Sequence, residues 1–160
     1  MPQVLIVYYS HGGNTKKMAG EIARSVEAAG CQVLVKKVDE VTMDEVALAD
    51  GLLIGSPCYF GNMAGPMKAF IDDSIKLFGK GELDGKPGGA FCSTGGIGGL
   101  GEVALQSMVT AMMIQGMVVQ GVRKGGHYGP LAINEPDERV LTECQNYGQR
   151  FAALVKRLAG

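Results

Sequence analysis

The sequence lacks an excess of charge of either sign, since 15 basic and 16 acidic residues leave a net charge of −1. A protein that binds nucleic acid or an anionic membrane surface carries a basic patch or stripe, and none is present. The sequence also lacks an uninterrupted apolar run of about 18 residues, and its first residues match a strand rather than a signal peptide. These absences argue against a nucleic-acid partner and a membrane span, and we expect a cytoplasmic protein.

Cysteine is scarce, and the four cysteines form neither a C-x-x-C pair nor the spacing of a metal site. We therefore expect no bound metal. Cytosolic cysteines are usually reduced and packed in the core, and this is the expectation for Cys31, Cys92 and Cys144. Cys58 differs because it lies in a loop that we assign below to a ligand, although a redox role for it is the less favoured interpretation.

What the sequence does contain is a regular alternation of strand and helix patterns. With 46% apolar and 19% charged residues, no repeat and no linker, the chain indicates one globular domain spanning residues 1–160. This order favours an α/β fold with a parallel sheet and helices on both faces. The predicted strands are 4–9, 31–38, 51–55, 89–92 and 117–119, and the predicted helices begin near 16, 42, 66, 102 and 136.

The segment Ser10–Thr15 follows the first predicted strand and precedes the first predicted helix. Its hydroxyl and amide side chains, its two glycines and the helix start together suit an anion. The lysine of the G-x-x-x-x-G-K-[ST] motif is absent, which favours a single phosphate monoester over a triphosphate. An alternative of equal weight is an ordinary turn in which Asn14 or Thr15 caps the helix.

Two further loops follow predicted strands at the same edge of the sheet. In the segment 56–63, Tyr59 and Phe60 suit stacking on a flat heterocycle whose edge bonds to Gly61 and nearby amides, while aromatic residues that only cover the sheet are the alternative. The segment 93–101 is rich in glycine and hydroxyl donors, which lets the main chain approach a planar ligand. Ligands of parallel α/β sheets bind at the carboxyl ends of the strands. The three loops together therefore predict one mononucleotide site.

The segment Gly96–Gly101 also matches G-x-G-x-x-G, the fingerprint of dinucleotide-binding folds. It follows a late strand rather than the first one, and the next strand ends at Val119 without the acidic residue expected for the ribose. A dehydrogenase that binds a dinucleotide through this motif is therefore the less favoured alternative.

Three segments carry a resemblance that extends along nearly the whole chain: Tyr8-Tyr9-Ser10 with its loop, Pro57–Met63, and Phe91–Gly99. In them the chain resembles the flavodoxin-like fold family, and most closely the NAD(P)H:quinone oxidoreductases of the tryptophan-repressor-binding-protein-A type. The resemblance implies a doubly wound, five-stranded parallel sheet of order 2-1-3-4-5, FMN as cofactor, electron transfer from NAD(P)H to a quinone, and a homodimer or homotetramer. The implied FMN-binding residues are Ser10, His11, Gly12, Gly13, Asn14, Thr15, Pro57, Cys58, Tyr59, Phe60, Gly61, Asn62, Ser93, Thr94, Gly95, Gly96, Ile97, Gly98 and Gly99.

The chain departs from the pattern of that family at several positions. Where relatives carry an aromatic residue that helps bind the nicotinamide cofactor, the chain has Gly12, and the usual arginine of the second loop is Tyr59. A histidine pair of the family is replaced by Ile114-Gln115, and the connection after Val119 is shortened. Phe78 is the candidate for the aromatic wall of the substrate site. FMN binding therefore carries over from the family, whereas the choice of reductant and acceptor stays open.

The segment 121–135 shows no clear element of its own, and loops of such length are commonly functional or mobile. Within it, His127 and Tyr128 are candidate catalytic residues that border the flavin or act across a subunit interface and deliver a proton to a quinone. The alternative is a surface loop whose histidine is simply solvated.

A second functional hypothesis is an electron carrier of the flavodoxin type, which passes single electrons between redox proteins. Such carriers are strongly acidic, which steers them to basic partners, so the net charge of −1 argues against this hypothesis. The predicted helix 102–115 is apolar around much of its circumference, which fits burial on both sides or a subunit contact. We therefore expect a homodimer or homotetramer.

Overall fold

The structure, a computed structural model, describes residues 1–160 as seven strands, six helices and one 3₁₀ turn, Ile97–Gly99. The strands are β1 (Gln3–Tyr8), β2 (Gln32–Lys37), β3 (Gly51–Tyr59), β4 (Asn62–Met63), β5 (Pro87–Thr94), β6 (Val118–Val119) and β7 (Leu131–Ile133). The helices are α1 (Asn14–Ala28), α2 (Met43–Leu48), α3 (Gly65–Asp73), α4 (Ile75–Phe78), α5 (Gly101–Ile114) and α6 (Glu138–Leu158).

Five strand positions form a parallel sheet in the order β2-β1-β3-β5, followed by β6 and β7 at the fifth position. The fifth position is split, because the start of β5 pairs with β6 (Pro87 with Val118) and its end pairs with β7 (Cys92 with Leu131). The predicted order 2-1-3-4-5 is confirmed, with β5 as the fourth strand of that order. The prediction that residues 121–135 contain no secondary-structure element is wrong, because β7 lies there. A strand of three residues is too short to show the alternation of apolar and polar residues that predicts a strand.

Helices cover both faces of the sheet, as predicted. Successive residues of a strand point to opposite faces, so Ile6 packs under α1 and α6 with Phe151, whereas Leu5 packs under the other helices with Met108. Each face buries a cluster of 18 residues. The carboxyl ends of the strands remain open between these two layers, and the loops there form the site described below.

The starts of the helices follow from local sequence signals. Thr42 Oγ1 accepts a hydrogen bond from the Glu45 N–H, and the Glu45 carboxylate accepts one from the Thr42 N–H at 2.9 Å. This is the capping box that the sequence predicts for α2. Pro66 lies in the first turn of α3, and Asp137 caps α6 by accepting a hydrogen bond from the Val140 N–H.

The segment Ile97–Ile114 has the length and composition of a membrane span, with a mean hydropathy of 1.4 over 18 residues. This is weak support for a span, because a helix that packs against a sheet meets the same criterion. In the fold, the segment is a 3₁₀ turn followed by the 14 residues of α5, whose Leu105 and Met108 are buried. Only 28% of the segment is buried, so α5 also presents an apolar outer face.

Candidate functional site

The first loop of the site joins β1 to α1. Gly13 occupies the N-cap position of α1 in a left-handed conformation (φ 96°), and no side chain caps this helix. The alternative in which Asn14 or Thr15 caps the helix is therefore wrong. Ser10 Oγ accepts a hydrogen bond from the Gly13 N–H at 3.1 Å, and the N–H groups in the first turn of α1 are left to bind an anion.

The hydroxyl of Thr15 connects the first loop to the third. Its Oγ1 lies 2.9 Å from Ser93 Oγ, and both residues are buried. Thr15 lies in the first turn of α1, which follows β1, and Ser93 lies near the end of β5. Because β3 lies between β1 and β5 in the sheet, the bond links two strand ends that are not neighbours. This buried hydrogen bond therefore holds the first and third loops at a fixed distance from each other.

The second loop is a tight hairpin. Strand β3 continues to Tyr59, beyond the predicted end at residue 55, and pairs with β4 on the far side of the turn. The two turn residues, Phe60 and Gly61, have φ values of 51° and 80°, as a type I′ hairpin turn requires. The sequence did not predict this hairpin because its usual signal is Asn-Gly or Asp-Gly rather than Phe-Gly.

The third loop is held against the hairpin. Strand β5 continues to Thr94, beyond the predicted end at residue 92, and the 3₁₀ turn follows it. The Cys58 Sγ donates a hydrogen bond to the Gly99 carbonyl oxygen at 2.9 Å. Gly95 and Gly96 have open space where a Cβ would be, which leaves their backbone accessible to a ligand.

These three loops enclose a cavity of about 150 Å³, which we call the three-loop cavity. Tyr59 forms one wall, is 41% exposed, and meets the ring of Tyr9 edge to face with 6.3 Å between ring centroids. All its lining residues belong to the predicted FMN-binding set: Ser10, His11, Gly12, Asn14, Thr15, Pro57, Cys58, Tyr59, Ser93, Thr94 and Gly95. The rest of that set lies around the cavity without lining it: Gly13, Phe60, Gly61, Asn62, Gly96, Ile97, Gly98 and Gly99.

The lining supplies neutral hydrogen-bond donors, and it contains no lysine or arginine. An anion there is bound by N–H and O–H groups and by the partial positive charge at the start of α1. Burial raises the pKa of the Cys58 thiol and that of the Cys92 thiol. Because the thiolate is the reactive form of cysteine, these shifts argue against nucleophilic chemistry at either residue.

Phe78, the candidate for the substrate wall, lies away from this cavity. It ends α4 and is 47% exposed. Ser74, directly before α4, accepts a hydrogen bond from the Gln115 side chain at the far end of α5. Helix α4 therefore lies toward the opposite edge of the sheet from the three loops.

His127 and Tyr128, the candidate catalytic residues, lie in the 120–130 connection between β6 and β7. His127 Nδ1 is 2.8 Å from the Val122 carbonyl oxygen. Both residues precede β7, whose first residue pairs with Cys92, so they lie below the carboxyl edge of the sheet. Within one chain, neither residue lines the three-loop cavity.

A second cavity of about 390 Å³, which we call the β1–β2 cavity, flanks the first loop on its other side. Sequence reasoning missed it, although a signal existed: Lys37 ends β2 and Asp39 follows two residues later, at the carboxyl edge where ligands of such sheets bind. Its lining residues are Tyr8, Tyr9, Ser10, His11, Lys37, Val38, Asp39 and Pro66.

Comparison with known proteins identifies the family. Residues 35–125 match the family described as NADPH-dependent FMN reductase. The chain belongs to this family. The matched region includes the second and third loops of the three-loop cavity, while the first loop precedes it.

Individual relatives cover nearly the whole chain. The chain is 43% identical over 166 residues to a flavodoxin from Aquifex aeolicus, which covers 97% of this chain and 88% of that protein. It is 33% identical to the NAD(P)H dehydrogenase (quinone) of Chromohalobacter salexigens over 201 positions, with 100% of both chains covered. The latter alignment is longer than the chain itself, so that relative has segments that the chain lacks. The predicted resemblance to quinone oxidoreductases is confirmed.

Solved structures show the same architecture. A flavodoxin from the domain Archaea is 32% identical, with a TM-score of 0.81 and coverage of 96% of this chain and 99% of that chain. A WrbA-like flavodoxin from Agrobacterium tumefaciens is 24% identical, with a TM-score of 0.86 and coverage of 99% of both chains. The predicted flavodoxin-like fold is confirmed.

The residues of the three-loop cavity fit FMN, the cofactor that the family implies. FMN carries one phosphate and one planar ring. A single phosphate can be bound by hydrogen-bond donors alone, without a lysine or arginine. Ser10, the N–H groups of α1 and the open backbone at Gly12 provide such donors. The ring requires flat walls and backbone polar groups, which Tyr59 and the segment 93–96 provide.

Proposed function

We propose that the protein is an FMN-dependent oxidoreductase that passes electrons from NAD(P)H to a quinone. The observation that carries this proposal is a cavity at the carboxyl edge of the sheet, lined by three loops that offer neutral donors at a helix start. The family match and the relative named NAD(P)H dehydrogenase (quinone) support the reaction. Four free cysteines fit a location in the reducing cytoplasm.

In this proposal, the first loop holds the phosphate and the other two loops hold the ring. Ser10, Asn14 and Thr15 donate to the phosphate together with the first N–H groups of α1. The ring lies between the hairpin at Tyr59 and the segment 93–99. The bond between Thr15 and Ser93 sets the spacing between the phosphate end and the ring end of the site.

When bound, FMN supplies the redox chemistry between the reduced nicotinamide and the quinone. The residues of the chain bind and orient the reactants. Tyr59 limits one side of the ring site, and its edge-to-face contact with Tyr9 restricts the rotation of the Tyr59 side chain. The Cys58 thiol stays protonated because its pKa is raised, and its hydrogen bond to Gly99 keeps the hairpin beside the third loop.

Two measurements test the proposal in turn. A visible spectrum of the purified protein with added FMN is expected to show bound flavin. Steady-state kinetics of the FMN-loaded protein with NADPH or NADH and benzoquinone are expected to show turnover. Protein that takes up FMN but oxidises neither reductant would rule out the reaction, and protein that takes up no FMN would rule out the cofactor as well.

An electron carrier between redox proteins is the second candidate, and 43% identity to a flavodoxin favours it. The net charge of −1 supplies little electrostatic steering toward a charged partner. A potentiometric titration separates the candidates. Two resolved one-electron steps without NADPH turnover indicate a carrier, whereas one two-electron step with turnover indicates the enzyme.

The same proposal includes assembly into a homodimer or homotetramer. Val103, Met113 and Ile114 on the outer face of α5 are 42%, 63% and 67% exposed, and an exposed apolar face of this kind favours a protein contact. In such an assembly, His127 and Tyr128 of one copy supply a proton path to the site of a neighbouring copy. Light scattering at micromolar concentration is expected to give more than one chain, and a monomer would contradict the assembly.

A further inference from the structure

The β1–β2 cavity has no role in the function proposed so far. Its volume of about 390 Å³ falls within the range of roughly 300–1,000 Å³ that is typical of small-molecule sites. Ser10 and His11 line both this cavity and the three-loop cavity. A ligand in the β1–β2 cavity therefore lies directly beside the FMN phosphate loop.

The lining of the β1–β2 cavity contains three chemically different groups that can bind a ligand. Tyr9 offers an aromatic surface, Lys37 an ammonium group, and Asp39 a carboxylate. The Lys37 ammonium pairs with Glu40 at 3.8 Å, and the two side chains are 53% and 57% exposed. Such an exposed pair is weak and screened, so the ammonium is available to an anion. A ring, a phosphate partner and an acceptor for hydroxyl groups together suit a phosphorylated nucleoside.

The position of the cavity in the sheet favours the same ligand. In doubly wound sheets that bind dinucleotides, the loop after the first strand lies beside the end of the second strand. There an acidic residue bonds the ribose hydroxyls, or a basic residue accommodates a 2′-phosphate. In this chain, Asp39 and Lys37 stand at the end of β2, next to the loop that begins at Ser10.

The two cavities are also the right distance apart for one dinucleotide. The centre of the β2–β1 pair lies two strand spacings, about 10 Å, from the centre of the β3–β5 pair, whose ends carry the ring loops. The pyrophosphate of a nicotinamide dinucleotide bridges such a distance. A dinucleotide whose nicotinamide reached the three-loop cavity would therefore place its adenosine at the β1–β2 cavity.

We propose that the β1–β2 cavity binds the adenosine 2′-phosphate portion of NADPH. Lys37 binds the 2′-phosphate, Asp39 accepts a hydrogen bond from a ribose hydroxyl, and Tyr9 packs against the adenine. This inference rests on the proposed function, because it assigns the part of the chain that holds the reductant. It also assigns the preference between reductants, since Lys37 favours NADPH over NADH.

A binding experiment tests the site without turnover. The FMN-loaded full chain is titrated calorimetrically with adenosine 2′,5′-bisphosphate, and saturable binding that weakens with added salt is expected. The bisphosphate is also expected to compete with NADPH in steady-state kinetics. The Lys37→Gln variant is expected to bind it about tenfold more weakly and to raise the KM for NADPH by a similar factor. Its KM for NADH and for benzoquinone is expected to stay unchanged.

Lys36→Gln is the matched control, because it removes the same charge from the neighbouring position of β2. Lys36 does not line the cavity and pairs with Glu45 instead. Equal loss of bisphosphate binding in both variants would overturn the inference, and so would a wild-type protein that oxidises NADPH without binding the bisphosphate. Binding through Lys37 in a protein that reduces no quinone would support the cavity assignment and overturn the proposed reaction.

Discussion

At the scale of single residues, the buried bond between Thr15 and Ser93 connects the start of α1 to the end of β5 in the lining of the three-loop cavity. Both side chains are buried, so water cannot readily take the place of a lost hydrogen-bond partner. An unpartnered buried hydroxyl costs about 1–3 kcal/mol. The contact therefore contributes to the stability of the fold as well as to the spacing of the loops.

Thr15→Val tests this contact with little change in side-chain volume. We expect the free energy of unfolding to fall by about 1–2 kcal/mol and the Kd for FMN to rise about tenfold, because the Ser93 hydroxyl loses its partner and Thr15 no longer donates. Urea unfolding and flavin fluorescence titration measure the two effects. Thr142→Val is the control, since Thr142 bonds only to the Glu138 carbonyl on the exposed side of α6. Equal FMN affinity in both variants would contradict the assigned role.

Phe60 carries backbone strain in the hairpin turn. Its φ of 51° lies in the left-handed region, and its side chain is fully exposed. The left-handed conformation costs a residue of this kind roughly 1–2 kcal/mol, whereas asparagine tolerates it. An exposed phenylalanine at that position gains little from packing in return.

We therefore expect Phe60→Asn to raise the free energy of unfolding of the FMN-free protein by about 1 kcal/mol. Thermal unfolding measures the change. Ile97→Asn serves as control, because Ile97 is 89% exposed beside the same site and has no positive φ, so it gains no such relief. A Phe60→Asn variant less stable than wild type would show that the Phe60 ring packs against the protein.

At the scale of secondary-structure elements, helix α2 is held by its capping box and by the pairing of Glu45 with Lys36. The hydrogen bond from Lys36, and next the hydrogen bond from the Thr42 N–H, lower the pKa of Glu45 below its ordinary value of 4.5. A carboxylate whose pKa is lower in the folded state stabilises the fold above its unfolded pKa. That contribution is lost as the pH falls through the folded pKa.

The Glu45→Gln variant is expected to show the matching pH dependence. The difference in free energy of unfolding between wild type and variant should be constant near neutral pH and should shrink once the pH falls below the ordinary value of 4.5. Chemical unfolding at a series of pH values measures it. Glu40→Gln is the control, because Glu40 makes only a weak exposed pair with Lys37. A difference that grows at low pH would contradict the role of Glu45.

Sequence patterns were informative about elements longer than about five residues and about loops with distinctive chemistry. They predicted the parallel α/β architecture and the three loops of the three-loop cavity, while the resemblance to the flavodoxin-like family implied the sheet order and the residues that line the cavity. They missed β4 and β7 because a strand of two or three residues shows no period. They missed the left-handed Gly13 cap because glycine signals a turn without specifying which residue starts the helix. They missed the β1–β2 cavity because the signal from Lys37 and Asp39 marks only the end of β2, whereas the cavity also depends on how two strand ends and Pro66 meet in space.

At the scale of the whole molecule, the apolar outer face of α5 is the proposed contact between copies of the chain. Met113→Lys places a charge at a position that is 63% exposed on that face. If the face joins two copies, the buried charge is costly and the assembly is expected to dissociate. Light scattering with a dilution series should then give a smaller mass than wild type. Leu158→Lys, at the end of α6 and 45% exposed, is the control and is expected to leave the mass unchanged.

Because the fifth position of the sheet is split between β6 and β7, the 120–130 connection between them is a suitable place to insert a peptide. The pairing of β5 with β6 and its pairing with β7 each hold their own register, so the chain between them can lengthen without shifting either pair. A short reporter peptide inserted after Lys124 would therefore extend from the sheet edge while the three loops keep their places. The molecule could carry a fluorescent label there that reports on contact between copies of the chain.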